Sequence, residues 1–229
     1  MKRHLKRIAV PRTWAINRKK RVFIVRPKPG AHSLEMGLPL GVIIRDNLKL
    51  AGTISEVKKL LNNNEVLIDG KRRKDHRFIV GLLDILSFPS LNKYYRLQLD
   101  QKGKIILTEI SKDESQTKIC KIAGKRVLIK GKLQFNLHDG KNIVDKLDAK
   151  VGDSLIVELP SFKVKKVLPL KSGMTIFLTQ GKHIGDVGVL KEIKGIEAKY
   201  TVAGKEIETA KGYLFVVGEK EALIKLKNE

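Results

Sequence analysis

The sequence predicts an α+β chain, mostly β, built from several small units. Only 42% of its 229 residues are hydrophobic and 5% aromatic, which favours several modest cores over one large one. Apolar residues recur at helical spacing chiefly between Leu38 and Leu61. Beyond Pro89, short β-type runs alternate with turn dipeptides, the pattern of small barrels or curled sheets.

The chain opens on a basic arm, residues 1–37. Lys2, Arg3, His4, Lys6, Arg7, Arg12, Arg18, Lys19, Lys20, Arg21, Arg26 and Lys28 all precede the first acid, Glu35. Arms of this kind bind nucleic acid or stay solvated and disordered. Pro11, Pro27, Pro29 and Gly30 break any long helix, so an extended path with a short turn or two is expected. Trp14 is its apolar anchor, and Leu5, Ile8, Ile16 and residues 22–25 give it something to pack.

Residues 38–90 form the helical unit. LPLGVIIRDNLKLAG predicts a helix with Leu40, Ile43, Ile44 and Leu48 on one side. Thr53-Ile54-Ser55-Glu56 has capping-box spacing and opens a second helix, with Val57, Leu60 and Leu61 on its apolar face and Lys58 and Lys59 on its basic one. Asn62-Asn63-Asn64 stops it, by a left-handed turn where one is needed. A strand over residues 65–68 then meets Asp69-Gly70, a tight-turn signal, followed at once by Lys71, Arg72, Arg73 and Lys74. Ile79, Val80 and residues 84–88 supply the returning strands.

Two β units complete the chain. Residues 91–169 hold candidate strands at 94–99, 104–108, 126–129, 132–137 and 154–157, parted by Lys102-Gly103, Asp139-Gly140 and Gly152-Asp153. Residues 170–229 hold a strand at 175–178, a glycine-spaced stretch with Gly181, Gly185 and Gly188, and strands at 212–217 and 222–226 that close a second small barrel.

Charge narrows the function. Lys plus Arg number 47 against 24 Asp plus Glu, a formal +23 with pI near 10.1, so the chain needs a polyanion. Beside phosphates such a surface releases condensed counterions and gains salt-sensitive affinity. A membrane is the competing polyanion, but no run of about 18 apolar residues and no leader-like segment is present. Cys120, the single cysteine, excludes an internal disulfide and sits between apolar neighbours as a packing thiol. The histidines show no metal-ligand spacing. Paired carboxylates, a nucleophile elbow and a phosphate-binding Gly-Lys loop are also missing, so neither catalysis nor a cofactor is expected.

The helix pair followed by VLIDGKRRKD resembles the S-four RNA-binding domain, and TQGKHIGDVGVL resembles the KOW motif. Their order is more specific than either alone. HLKRIAVPRTW, LPLGVIIRDNLKLA, EVKKLLNNNEVLIDGKRRKD, YYRLQLD, CKIAGKRVLIKG, LHDGKNI, VGDSLIVEL and the KOW segment together resemble the S-four-e family of archaeal and eukaryotic small-subunit ribosomal proteins. The stop at Glu229 without a further basic tail looks archaeal. Gly52 and the Asn62-Asn63-Asn64 run depart from the family's more basic pattern.

The resemblance implies an S-four unit, a central small β-barrel-like domain and a C-terminal KOW-type SH3-like barrel. It also implies a cytoplasmic ribosomal component that binds small-subunit (16S) rRNA and neighbouring ribosomal proteins, with no membrane or small-molecule substrate. The alternatives are a KOW-containing transcription or translation factor and an RNA-modification accessory protein. The basic arm residues from Lys2 to Arg21 with Trp14, then Arg45, Thr53, Lys58, Lys59, Lys71, Arg72, Arg73, Lys74, Lys182 and His183, are the candidate RNA contacts. The start of the second helix would offer its free amides to a phosphate. Arg45 could instead pair with Asp46, and Gly185 and Gly188 could serve barrel turns as well as close RNA approach.

Overall fold

The computed structural model of the chain describes residues 4–226, so Lys2 and Arg3 lie outside the described residues. It divides into two units. One holds the residues up to Gln98 with Lys104–Ser115, the other Leu99–Gly103 with the chain from Gln116 onward.

In the first unit the arm is folded. β1 (Leu5–Lys6) pairs antiparallel with β2 (Phe23–Ile24). Trp14 is 2% exposed, its Nε1 donates to the Leu34 carbonyl at 3.0 Å, and a parallel bridge joins it to Ile105. The apolar body is thus buried and its one polar tip satisfied. Trp14→Ala is expected to cost about 3–5 kcal/mol. It should also expose Arg12 and Arg18 to rapid tryptic cleavage; unchanged melting and digestion would show that the arm is held elsewhere.

β3 (Gly37–Pro39) leads into α1 (Leu40–Val42), which widens at once into a π turn over Ile43–Asn47. Leu40, Val42, Ile43 and Ile44 are buried as their spacing predicts. The helix ends before the expected stretch does, because Lys49 turns left-handed at φ 55. α2 (Ile54–Asn63) buries Val57 and Leu61 and exposes Lys58 and Lys59. The residue that caps its end, Asn64, is extended rather than left-handed, since the buried Val66 two residues on draws the chain straight into a strand.

β4 (Leu67–Ile68) and β5 (Lys71–Arg72) form a hairpin whose two turn residues, Asp69 (φ 50) and Gly70 (φ 73), are both left-handed. That turn twists with its strands, which is why Asp-Gly selects it. β6 (Ile79–Gly81) pairs with β3, and β7 (Ile85–Phe88) pairs with β4. β8 (Lys93–Leu99) and β9 (Ile105–Ile110) extend the sheet to the order β5-β4-β7-β8-β9. The expected boundary at residue 90 therefore falls inside one sheet, at the hairpin joining β7 to β8.

The second unit holds two five-stranded sheets. In the first, β10 (Thr117–Val127) pairs through residues 117–121 with β13 (Ser154–Glu158) and through residues 122–127 with β11 (Leu133–Leu137), the β11 register shifting between Ile122 and Gly124. β12 (Asn142–Val144) and β14 (Lys163–Leu168) finish the order β12-β11-β10-β13-β14. Cys120, Ile122, Phe135, Leu137, Leu155 and Val157 fill the interior of this curled, barrel-like sheet.

The second sheet runs β18-β17-β16-β15-β19, from β15 (Thr175–Leu178), β16 (Val187–Lys194), β17 (Glu197–Val202), β18 (Lys205–Ala210) and β19 (Leu214–Gly218). It encloses Ile176, Leu178, Leu190, Tyr200, Leu214 and Val216. The strand expected at 222–226 does not form. After Gly218 the chain folds back so tightly that the Leu223 N–H reaches the Val217 carbonyl at 3.0 Å, and a Cβ on Gly218 would collide with the Glu221 carbonyl. Ile224 and Leu226 are buried without ladder pairing.

Candidate nucleic-acid interface

The densest exposed basic surface in the first unit joins α2 to the β4–β5 hairpin. Lys58 and Lys59 stand on the outer face of α2, and Lys71, Arg72 and Lys74 are exposed on and after β5. Arg72 Nη2 donates to the Asn62 carbonyl at 3.0 Å, which ties the hairpin to the end of α2. Asp69, the acid in the turn, points inward: its Oδ1 accepts from the Ile85 N–H at 3.0 Å, leaving the cations to face solvent. Arg73 differs from its neighbours. It is half-buried, with its guanidinium 4.4 Å over the Phe78 ring. Gly70 serves the turn itself.

The start of α2 is occupied. Thr53 Oγ1 accepts from the Glu56 N–H at 3.2 Å, and the Glu56 carboxylate takes the Gly52 N–H at 2.8 Å and the Thr53 hydroxyl at 3.0 Å. Those bonds, the Gly52 amide first, hold the Glu56 carboxyl below its usual range. The chain's own carboxylate therefore fills the anion site that the sequence offered to a phosphate, and Thr53 acts as a cap.

The arm's cations divide by burial. Arg7 is 1% exposed; its Nη1 donates to the Asn17 carbonyl at 2.7 Å and its Nη2 to Asp46 at 3.2 Å. Arg45 also grips Asp46, at 2.7 Å, with its side chain 7% exposed. Burial works to raise the Asp46 carboxyl, but Arg45 and then Arg7 outweigh it and hold it low. Arg18 clasps the Ile8 and Pro11 carbonyls at 3.1 and 2.9 Å. Arg7, Trp14 and Arg45 thus fasten the arm and the π turn, Trp14 as the apolar anchor and Arg45 through the Asp46 pairing that the sequence left open. His4, Lys6, Arg12, Lys19, Lys20 and Arg21 are exposed.

In the second unit Lys182 is exposed and His183 half-buried, its Nδ1 3.5 Å from Asp186. Gly181 is left-handed at φ 93 and exposed. A side chain at Gly185 would meet the backbone at Asp100, and one at Gly188 would lie 2.6 Å from the Thr201 carbonyl. Both glycines are closed in by the chain itself, so of the two roles open to them the barrel role applies.

Sequence patterning missed the buried ion pairs. Lys118 Nζ lies 2.9 Å from Asp139, with their side chains 0% and 1% exposed, and Lys141 reaches the same carboxylate at 3.0 Å. Arg96 pairs with Glu114. The one available signal was parity, since Lys118 shares its face of β10 with Cys120 and Ile122. Donor atoms of Cys120, His138 and Asp139 lie within 4.8 Å of one another, but the Lys118 ammonium already provides the cation there.

The sheet over residues 187–210 contrasts with everything above. Lys191, Lys194, Lys199 and Lys205 balance Glu192, Glu197, Glu206 and Glu208. Lys199 pairs with Glu208 at 2.7 Å directly across the β17–β18 ladder, Lys194 with Glu192 at 3.3 Å, and Lys191 with Glu206. No helix among the described residues is long and apolar enough to cross a membrane.

Residues 91–164 match the family described as Ribosomal family S4e, and residues 1–35 match the RS4NT (NUC023) domain. The small ribosomal subunit protein eS4 of Methanocella arvoryzae is 42% identical over 222 residues, covering 94% of each chain. That of Methanocaldococcus jannaschii is 40% identical over 240 residues and covers 98% of each. The crystal structure of the 30S ribosomal protein S4e from Thermoplasma acidophilum matches with a TM-score of 0.70 at 27% identity, covering 82% of this chain and 98% of that one.

Proposed function

Because the chain belongs to the S4e family of small-ribosomal-subunit proteins, and is therefore a structural constituent of that subunit and not an enzyme, we propose that it holds rRNA through the cations of the α2–hairpin face and the exposed arm. The end-to-end coverage of its relatives accounts for the arm and the helical unit, which a KOW-type transcription factor leaves unexplained. The observation that carries the proposal is the hairpin: Lys71, Arg72 and Lys74 project beside Lys58 and Lys59 while the turn's carboxylate faces inward. Arginine there suits bidentate phosphate grip and lysine a point charge. Such recognition needs only the phosphates and hydroxyls that an RNA helix exposes, with no reading of base edges. Lys182 and His183 form a second, smaller contact by the same logic, and neighbouring ribosomal proteins take the remaining surface.

Tethered hydroxyl-radical cleavage tests the assignment. An iron chelate on Lys58→Cys or Lys74→Cys, in reconstituted small subunits, should cut nearby rRNA strands strongly, and one on Lys205→Cys of the charge-balanced sheet should cut far less. Equal cutting from all three positions, or none from the first two, would overturn it.

A further inference from the structure

We propose that the β1–β2 ribbon of the arm carries a pocket for a single unstacked RNA base, with the adjoining phosphate held by Lys6; this rests on the rRNA-binding reading above. A cavity of about 470 Å³ opens there, its walls including His4, Leu5, Lys6, Phe23, Arg26 and Leu34. That volume lies in the range of about 300–1,000 Å³ usual for small-ligand sites. It is an apolar hollow in the most basic stretch of the chain, where no acid occurs before Glu35.

The ribbon's register sets the chemistry. Lys6 and Phe23 are directly opposed across the ladder, so an ammonium and an aromatic ring stand side by side on one face. The other register pair, Leu5 and Ile24, turns inward, and Ile24 is 7% exposed. Phe23 remains 54% exposed, although a ring of that size ordinarily gains by burial. The His4 ring lies tilted to it at 5.7 Å between centroids and forms a second aromatic wall. Arg26 sits at the rim, its backbone carbonyl fixed by Arg77 Nε at 3.0 Å.

An aromatic platform with a cation at its edge is what single-stranded RNA requires, because every base has a π face and every base is followed by a phosphate. The charge surrounding the hollow favours RNA over an apolar protein side chain, which would gain nothing from Lys6.

The test uses the full-length protein and a small-subunit rRNA transcript, with affinity measured across a range of salt. Phe23→Leu keeps an apolar side chain at a half-open position and removes the ring. It should weaken binding roughly tenfold, the worth of one stacked base, with the salt slope unchanged. Lys6→Gln should reduce the log–log slope by roughly 0.7–0.9, one phosphate contact. Phe23→Tyr, which restores a ring, should recover wild-type affinity, and 4-thiouridine in the transcript should crosslink to the β1–β2 ribbon.

If wild-type protein binds the transcript tightly but Phe23→Leu binds equally well, the pocket is not a base site and the wider RNA reading stands. If that variant keeps its RNA affinity yet fails to enter subunits, the occupant is a neighbouring protein and the proposal falls. If wild-type protein itself shows no salt-dependent binding, the RNA reading falls with it.

Discussion

Replacing Lys71, Arg72 and Lys74 together by Gln is expected to flatten the salt dependence of rRNA binding by roughly two units of log–log slope, since each lost phosphate contact removes about 0.7–0.9. Affinity at moderate salt should fall by about two to three orders of magnitude at that slope. The fold should survive, because these side chains are exposed and surface changes usually stay within about 0.5 kcal/mol. Arg73 is left in place, as its stack on Phe78 belongs to the unit's packing. Neutralising Lys194, Lys199 and Lys205, also three charges, provides the control for net charge. A triple variant with an unchanged slope, or one no weaker than this control, would show that the hairpin is a solvated face.

A large loss of stability is also expected from Asp139→Asn. The substitution keeps the shape and the turn's hydrogen bonds but removes the buried negative charge that faces Lys118 at 2.9 Å and Lys141 at 3.0 Å, at a cost of up to about 3–5 kcal/mol. For a domain of this size that lowers the melting temperature by roughly 10 °C. Pairing Asp139→Leu with Lys118→Met removes both members of the pair, so the double variant should recover part of the loss; a double variant as unstable as the single one would refute the account. The pH dependence has a definite sign. Burial would raise the Asp139 carboxyl, but Lys118 and then Lys141 hold it far below the ordinary carboxylate range. A depressed carboxylate contributes its stability above the unfolded value near about 3.9 and loses it as pH falls through the folded value. Wild type should therefore weaken below about pH 4, and Asp139→Asn should lack this component.

Local signals carried much of the fold. The Thr53 cap, the Asp69-Gly70 turn, the buried faces of both helical segments and the strands β11, β13, β15 and β19 were legible, because each depends on spacing or turn chemistry within a few residues. β12, β14, β17 and β18 were not; in β17 and β18 the charged alternation hides a buried Tyr200 and Ala198 behind lysines and glutamates such as Lys199 and Glu208, which pair across the ladder. The strand expected at 222–226 failed for the opposite reason: its apolar residues are buried, but the backbone is bent by a close approach that sequence does not display. At the candidate interface, composition located exposed cations on the arm and the hairpin. It could not separate Arg7 and Arg45, which share one carboxylate inside the fold, from Lys6 or Lys74, which face water. That division depends on Asp46, brought from a distant part of the chain by a π turn.

The ion-paired sheet has a consequence for the protein's life before it meets RNA. β18 ends its sheet's hydrogen-bonded order, and such a strand is a template on which a second copy of the chain can dock edge to edge. Lys205, Glu206 and Glu208 on that strand would have to be stripped of water and of their partners before any foreign strand could pair there. A chain with a formal charge of +23 is thereby kept from edge-to-edge self-association at this strand by charges of both signs, at the place where added lysines alone would recruit stray polyanions.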